Sequence, residues 1–227
     1  MKKMIFFLIM GFFCHVSAVF SQNTAPAYDS SFKNLYKAAA LHPGYRNGAG
    51  IVSDSVVKRW DKDIVIYIEG GSSKNRKGIQ EKLKNTIALI TPALNNKIHI
   101  GFTDDKPSAN YLIHLNDRGY TRWYIKWDGR FNIYNCIINI NTRADFNYEQ
   151  QAGKVSHFLL QSLGDFVFNK KDLEMARNES SAASNISLWR EDINSVDLQL
   201  LQVHYADGIR TGMTAREVDQ FFAGQAR

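Results

Sequence analysis

The chain has 227 residues, with 28 Lys and Arg against 22 Asp and Glu and only two cysteines. That length suits one domain with a sizeable core, and two cysteines cannot build a disulfide framework. The formal charge of +6 is spread along the chain with no recognisable binding motif, whereas a nucleic-acid binder gathers its Lys and Arg on one face; nucleic acid is therefore not an expected partner.

Lys2 and Lys3, the apolar run 4–13 and the small residues Ser17 and Ala18 have the layout of a secretory leader. The run is short for a bilayer span, and no later segment offers a transmembrane helix. Val16-Ser17-Ala18 fits the cleavage rule, with a cut after Ser21 or Gln22 as the alternative. Phe13 stands before Cys14, where lipoprotein processing takes a small residue, so a lipid anchor is not expected. The expected division is a signal peptide over 1–22, an N-terminal helix and linker over 23–54, and the main domain over 55–227. The mature protein is expected to be secreted or periplasmic. Losing the leader takes Lys2 and Lys3 and no acid, which lowers the charge from +6 to +4, and takes Cys14, which leaves Cys136 without an internal partner.

Ser30 or Ser31 can cap a short helix carrying Phe32, Leu35, Tyr36 and Ala39 at helical spacing. His42-Pro43-Gly44 stops it, and residues 46–50 form a flexible connection. Ile64-Val65-Ile66-Tyr67-Ile68 is dense in β-branched residues and closed by Gly70-Gly71, which predicts a strand. Ile79, Leu83, Ile87 and Ile90 predict a helix over 76–90, with Pro92 close to its end. Strands follow over 97–102 and 111–115. A hairpin then pairs 122–127 with 131–140, because Asp128-Gly129 is the residue pair that a tight mirror-image turn takes. Cys136 lies in an apolar run of that second strand and reads as a buried small hydrophobe. A helix is expected over 148–163 with Gly164 as its left-handed stop. Residues 169–185 are polar and aperiodic, a surface loop. Two helices close the chain: one over 196–205, with Ser195 as cap and Asp197 at the positive end of the dipole, and one opening at the capping box Thr214-Ala215-Arg216-Glu217 and ending near Gly224. The expected fold is α+β, a mixed twisted sheet of about five strands packed on helices, with C-terminal helices.

The helix over 148–163 carries the most specific pattern in the chain. A zinc-protease helix reads H-E-x-x-H-x-x-G-x-x-H: two His one turn apart, a general-base Glu beside the first, and a third His beyond a Gly. Here His157 fills the first His position, Phe158 the Glu, Gln161 the second His, Gly164 the Gly and Val167 the third His. Catalytic zinc takes three protein ligands, and hydrolysis takes a group to deprotonate the bound water. The segment His157-Phe158-Leu159-Leu160-Gln161 keeps one ligand and no base, so no catalytic residue, no metal and no cofactor are expected.

The order strand, helix, several strands, helix, long loop and closing helix is that of the zincin superfamily, and its details resemble metzincins. The run from Asp192 to Tyr205 is similar to the closing helix of matrix-metalloprotease-like domains. Arg59-Trp60 before the strand at Ile64, Ala109-Asn110-Tyr111, Leu160-Gln161-Ser162-Leu163-Gly164, Leu200-Leu201 followed by Tyr205, and Gly212-Met213-Thr214 resemble a family of secreted bacterial proteins of unknown function with a zincin-like fold. The likeness covers residues 55–223. It implies a metalloprotease-like domain whose active-site motif is degenerate.

Two groups of residues are candidate sites. His157 and Gln161 lie four apart on one helix face, opposite the stripe Ala152, Val155, Leu159 and Leu163, and would line the ancestral cleft or bond to neighbouring loops. The second group is Tyr120, Arg122, Trp123, Tyr124, Lys126 and Trp127, an alternation of aromatic and basic side chains. Such side chains stack on sugars and attract carboxylate, while the blander reading is an edge hairpin protected by its charges. In zincins the strand beside the active helix takes substrate peptide by strand addition. His114 and His204 are further imidazoles without a short-spaced ligand partner, and Asp104-Asp105 and Asp61-Lys62-Asp63 lack the alternation of a calcium loop. The expected function is binding of an extended peptide or glycan in the cell envelope; the alternative is a zinc hydrolase with a rebuilt site that includes His157.

Overall fold

The computed structural model describes residues 28–41, 55–143, 148–167 and 193–225. The leader, the connection at 46–50 and the loop at 169–185 lie outside the described residues. No described helix is long and apolar enough to cross a membrane.

Helix α1 (Ser30–Ala40) starts one residue earlier than expected from Ser30 or Ser31: Asp29 is the cap, its Oδ1 accepting the Phe32 amide at 2.7 Å. A carboxylate satisfies an orphan amide and also suits the positive helix end, so it wins over the neighbouring hydroxyls. The two-residue strand β1 (Arg59–Trp60) is followed by β2 (Ile64–Gly70) and by helix α2 (Ser73–Ile90), which Ser72 caps. Pro92 sits in the 3-10 turn Thr91–Leu94 that follows. Then come β3 (Ile100–Phe102), β4 (Tyr111–Asn116), β5 (Arg122–Trp127), β6 (Asn132–Asn141), helix α3 (Tyr148–Ser162), helix α4 (Ser195–His204) and helix α5 (Ala215–Gly224). The cap of α4 is Asn194, not Ser195. Its side chain accepts the Val196 and Asp197 amides, and Asp197 accepts the Asn194 amide in return.

All six strands join one sheet. β3, β2, β4 and β6 pair side by side in parallel, and β5 adds antiparallel to β6. Ile133 of β6 pairs with Trp60 of β1 and with Trp127 of β5, so these two strands flank β6 on opposite sides and β1 continues the line of β4. Burial alternates along β2, β4 and β6: Ile64 and Ile66, Tyr111, Ile113 and Leu115, and Cys136, Ile138 and Ile140 are buried, their neighbours less so. The buried set meets α2 and α3, which pack on each other and therefore share one face of the sheet. Beyond β1, α1, α4 and α5 extend the same core through Tyr36, Leu200, Val203, Tyr205 and Phe222.

The β5–β6 hairpin forms as expected, but its turn differs. The Phe131 amide bonds the Asp128 carbonyl and the Asp128 amide bonds the Asn132 carbonyl. The left-handed residue is Phe131 (φ 66°) rather than the Gly129 that a mirror-image two-residue turn would use. Asp128 selects this longer turn: its carboxylate accepts the amides of Arg130 and Asn132, a local bond that stabilises the alternative loop.

Candidate functional site

Helix α3 buries Ala152, Val155 and Leu159, Leu163 just after it is buried too, and Ser156 Oγ meets Thr86 Oγ1 of α2 at 2.9 Å. His157, Phe158 and Gln161 fall on the remaining strip, partly exposed. The His157 ring lies 6.4 Å from that of Phe158, and burial holds its pKa below the usual imidazole range. Among the described residues no three His, Cys, Asp or Glu side chains converge.

The C-terminal end of α3 is built from tertiary partners. A helix leaves its last carbonyls unsatisfied; here Trp60 Nε1 donates to Ser162 O at 2.9 Å and the Tyr205 hydroxyl to Leu163 O at 2.8 Å. The Phe166 amide closes back on Gln161 O at 2.8 Å. That bond is the outer one of a Schellman stop, and its left-handed residue is Asp165 (φ 51°). Gly164, expected in that role, serves another: a Cβ there would stand 2.7 Å from His204 Nε2 and 2.6 Å from the Phe166 ring. Gly164→Ala should therefore cost about 1–3 kcal/mol through overpacking, read as a lower melting temperature.

His204 fills the space that a side chain at position 164 would take. It is fully buried, with Nε2 3.0 Å from the Lys58 carbonyl and Nδ1 3.1 Å from the Tyr36 hydroxyl. A carbonyl only accepts, so Nε2 carries the proton and Nδ1 accepts from Tyr36. Burial pushes the His204 pKa down to about 3, and with both nitrogens occupied the ring is structural. Lys58, also fully buried, reaches Asp165 Oδ2 at 3.3 Å and lies under the Trp127 ring, 5.2 Å from its centroid. Cys136 is buried as expected, its thiol pushed up to about 12 by desolvation, which removes it from thiolate chemistry.

β5 lies against α3 and, among the described residues, pairs on one edge only. Trp123, Ile125 and Trp127 pack toward the core, and strand alternation sends Arg122, Tyr124 and Lys126 to the opposite face. The structure thus brings together Arg122, whose guanidinium lies 5.3 Å over the Tyr124 ring, Tyr124 and Lys126, and separates from them Trp123 and Trp127. Tyr120 precedes the strand and is 82% exposed. Sequence reasoning did not single out what the neighbouring strands add beside Tyr124. Asn139 donates to the Tyr124 hydroxyl, His114 Nδ1 meets the Glu69 carboxylate, and Lys106 Nζ reaches the other Glu69 oxygen at 2.7 Å. The Lys106 hydrogen bond, with smaller help from His114, holds the Glu69 pKa below its usual range against the opposing effect of burial. The available signal was the polar alternation Asn135, Asn139 and Asn141 in an otherwise apolar strand.

No family model, no curated protein and no solved structure matches the chain.

Proposed function

We propose that this chain is a secreted, catalytically degenerate metalloprotease-like domain that binds an extended peptide or glycan of the cell envelope. The observation that carries this reading is the setting of β5. Among the described residues it is an edge strand beside the helix that holds His157 and Gln161, and it presents cations and an aromatic ring on the face away from the core. The order strand β2, helix α2, strands β3 to β6, helix α3 and closing helix α4 accords with the zincin-like resemblance. The donor set does not fit catalytic zinc. Phe158 and Gln161 take the places of the base and of the second ligand, and His204 spends both ring nitrogens on Lys58 and Tyr36. What remains of the protease plan is its substrate-holding geometry, an open strand edge that supplies main-chain hydrogen bonds to an extended ligand.

Metal content and peptidase activity of the purified protein test this reading. The expected result is no stoichiometric zinc and no hydrolysis, with His157→Ala changing stability by no more than about 1–2 kcal/mol, the cost of one polar side chain. Tightly bound zinc, or peptidase activity that disappears in His157→Ala while the fold persists, would overturn it in favour of a rebuilt hydrolase.

A further inference from the structure

Parallel sheets in compact domains are normally covered on both faces; among the described residues this largely parallel sheet is covered by helices on one. The helices that pack on it share one face. On the other, strand register aligns Tyr67, Leu112, Ile137 and Tyr124 in one row across four strands, and Glu69, His114, Asn139 and Arg122 in the next. The first row is apolar and aromatic, yet its members are only partly buried and stand apart from the core cluster. The second row is polar, and its geometry is fixed. Glu69 holds His114 and is itself held by Lys106, Asn139 holds the Tyr124 hydroxyl, and Arg122 stacks on the Tyr124 ring.

We infer that this open face binds a saccharide bearing a carboxylate. A pyranose ring has an apolar side that suits the Tyr67–Tyr124 row, and hydroxyls along its edge that suit the neighbouring one. Asn139 keeps its carbonyl oxygen, Tyr124 its hydroxyl proton, and His114 its Nε2 free of protein partners among the described residues. A peptide is the poorer fit here, because the interior of a sheet has already spent its main-chain donors and acceptors on neighbouring strands. The charge selects an acid: Glu69 is paired with Lys106, whereas Arg122 and Lys126 have no carboxylate within ion-pair distance among the described residues. Aromatic stacking fixes the Arg122 fork for bidentate capture of a planar carboxylate. This inference rests on the reading of the chain as a binding module and moves the ligand from the β5 edge to the sheet face.

The test is calorimetric titration of the full mature chain with oligogalacturonate, its methyl ester, and an extended Glu-rich peptide. Oligogalacturonate should bind in a salt-sensitive way and its ester much more weakly. Arg122→Gln with Lys126→Gln should weaken binding roughly ten-fold or more, as expected for loss of charge-assisted hydrogen bonds. Asn139→Leu should also weaken it, while Lys84→Gln on α2 should leave it unchanged, all with unaltered circular dichroism. Oligogalacturonate binding that ignores the open-face substitutions overturns the inference. Binding of the peptide without the saccharide overturns it too, and leaves the β5-edge reading standing. Binding of neither probe overturns this inference and removes the support for that reading as well.

Discussion

Lys58→Met alone should destabilise the protein by about 3–5 kcal/mol, the typical cost of breaking a buried ion pair by removing one partner. Lys58 has no exposed side-chain surface and Asp165 only 8%. Removing the ammonium therefore takes a cation from a buried carboxylate beside Trp127, Phe166 and the end of α3. Adding Asp165→Asn removes that charge, and Asn tolerates the left-handed backbone that position 165 requires, so the double variant should regain most of the loss. Urea unfolding of the two single variants and the double one, at constant m, measures the coupling. Equal stability of Lys58→Met and the double variant would show that the pair is not coupled.

The second large effect is a pH dependence hidden by compensation. Burial pushes the His204 pKa down to about 3, and burial, opposed by the Asn194 amide, pushes that of Asp197 up to about 6. For His204 the folded value lies below the unfolded value of about 6.5. Its contribution is complete above that value and is lost as pH falls toward the folded one. For Asp197 the folded value lies above the unfolded value of about 3.9, so its contribution is complete at low pH and is lost as pH rises through 6. Between about pH 4 and 6 the unfolded chain gains one proton at His204 and gives one up at Asp197, so the two slopes, about 1.4 kcal/mol per pH unit each, oppose one another. Asp197→Asn keeps an acceptor for the Asn194 amide and removes the titration. Its stability relative to the wild type should rise by about 2–3 kcal/mol from pH 4 to pH 7, followed as urea midpoints across that range. A constant difference would show that Asp197 is ionised in the folded protein throughout.

Element order was legible in the sequence because it rests on local periodicity, as at Ile64 to Ile68 and at Ile79, Leu83, Ile87 and Ile90. Boundaries slipped where several residues competed for one role. Asp29 outcompetes Ser30, and Asn194 outcompetes Ser195, because the preceding side chain reaches the free amides first. The two-residue β1 carries no period at all and becomes a strand only by pairing with β6. At the candidate site, the alternation of Arg122, Tyr124 and Lys126 was readable, since strand alternation is a property of one segment. The rows that run from Glu69 to Arg122 and from Tyr67 to Tyr124 were not, because they also depend on register among β2, β4 and β6, which no short turn connects. Equally hidden was the interior polar system. Tyr36 and Lys58 lie 168 and 146 residues from the His204 they hold, and nothing local marks Lys58 as a buried lysine.

The stop of α3 ties distant parts of the chain to its exposed strip. The carbonyls of Ser162 and Leu163 take their donors from Trp60 in β1 and from Tyr205 just after α4, not from the helix itself. Any event that lifts β1 or α4 away therefore leaves one of these carbonyls bare in an apolar surround, and the last turn has to unwind toward water to satisfy it. Gln161, whose carbonyl anchors the stop, would turn with it. The orientation of the Gln161 side chain is in this sense a readout of whether β1 and α4 are docked.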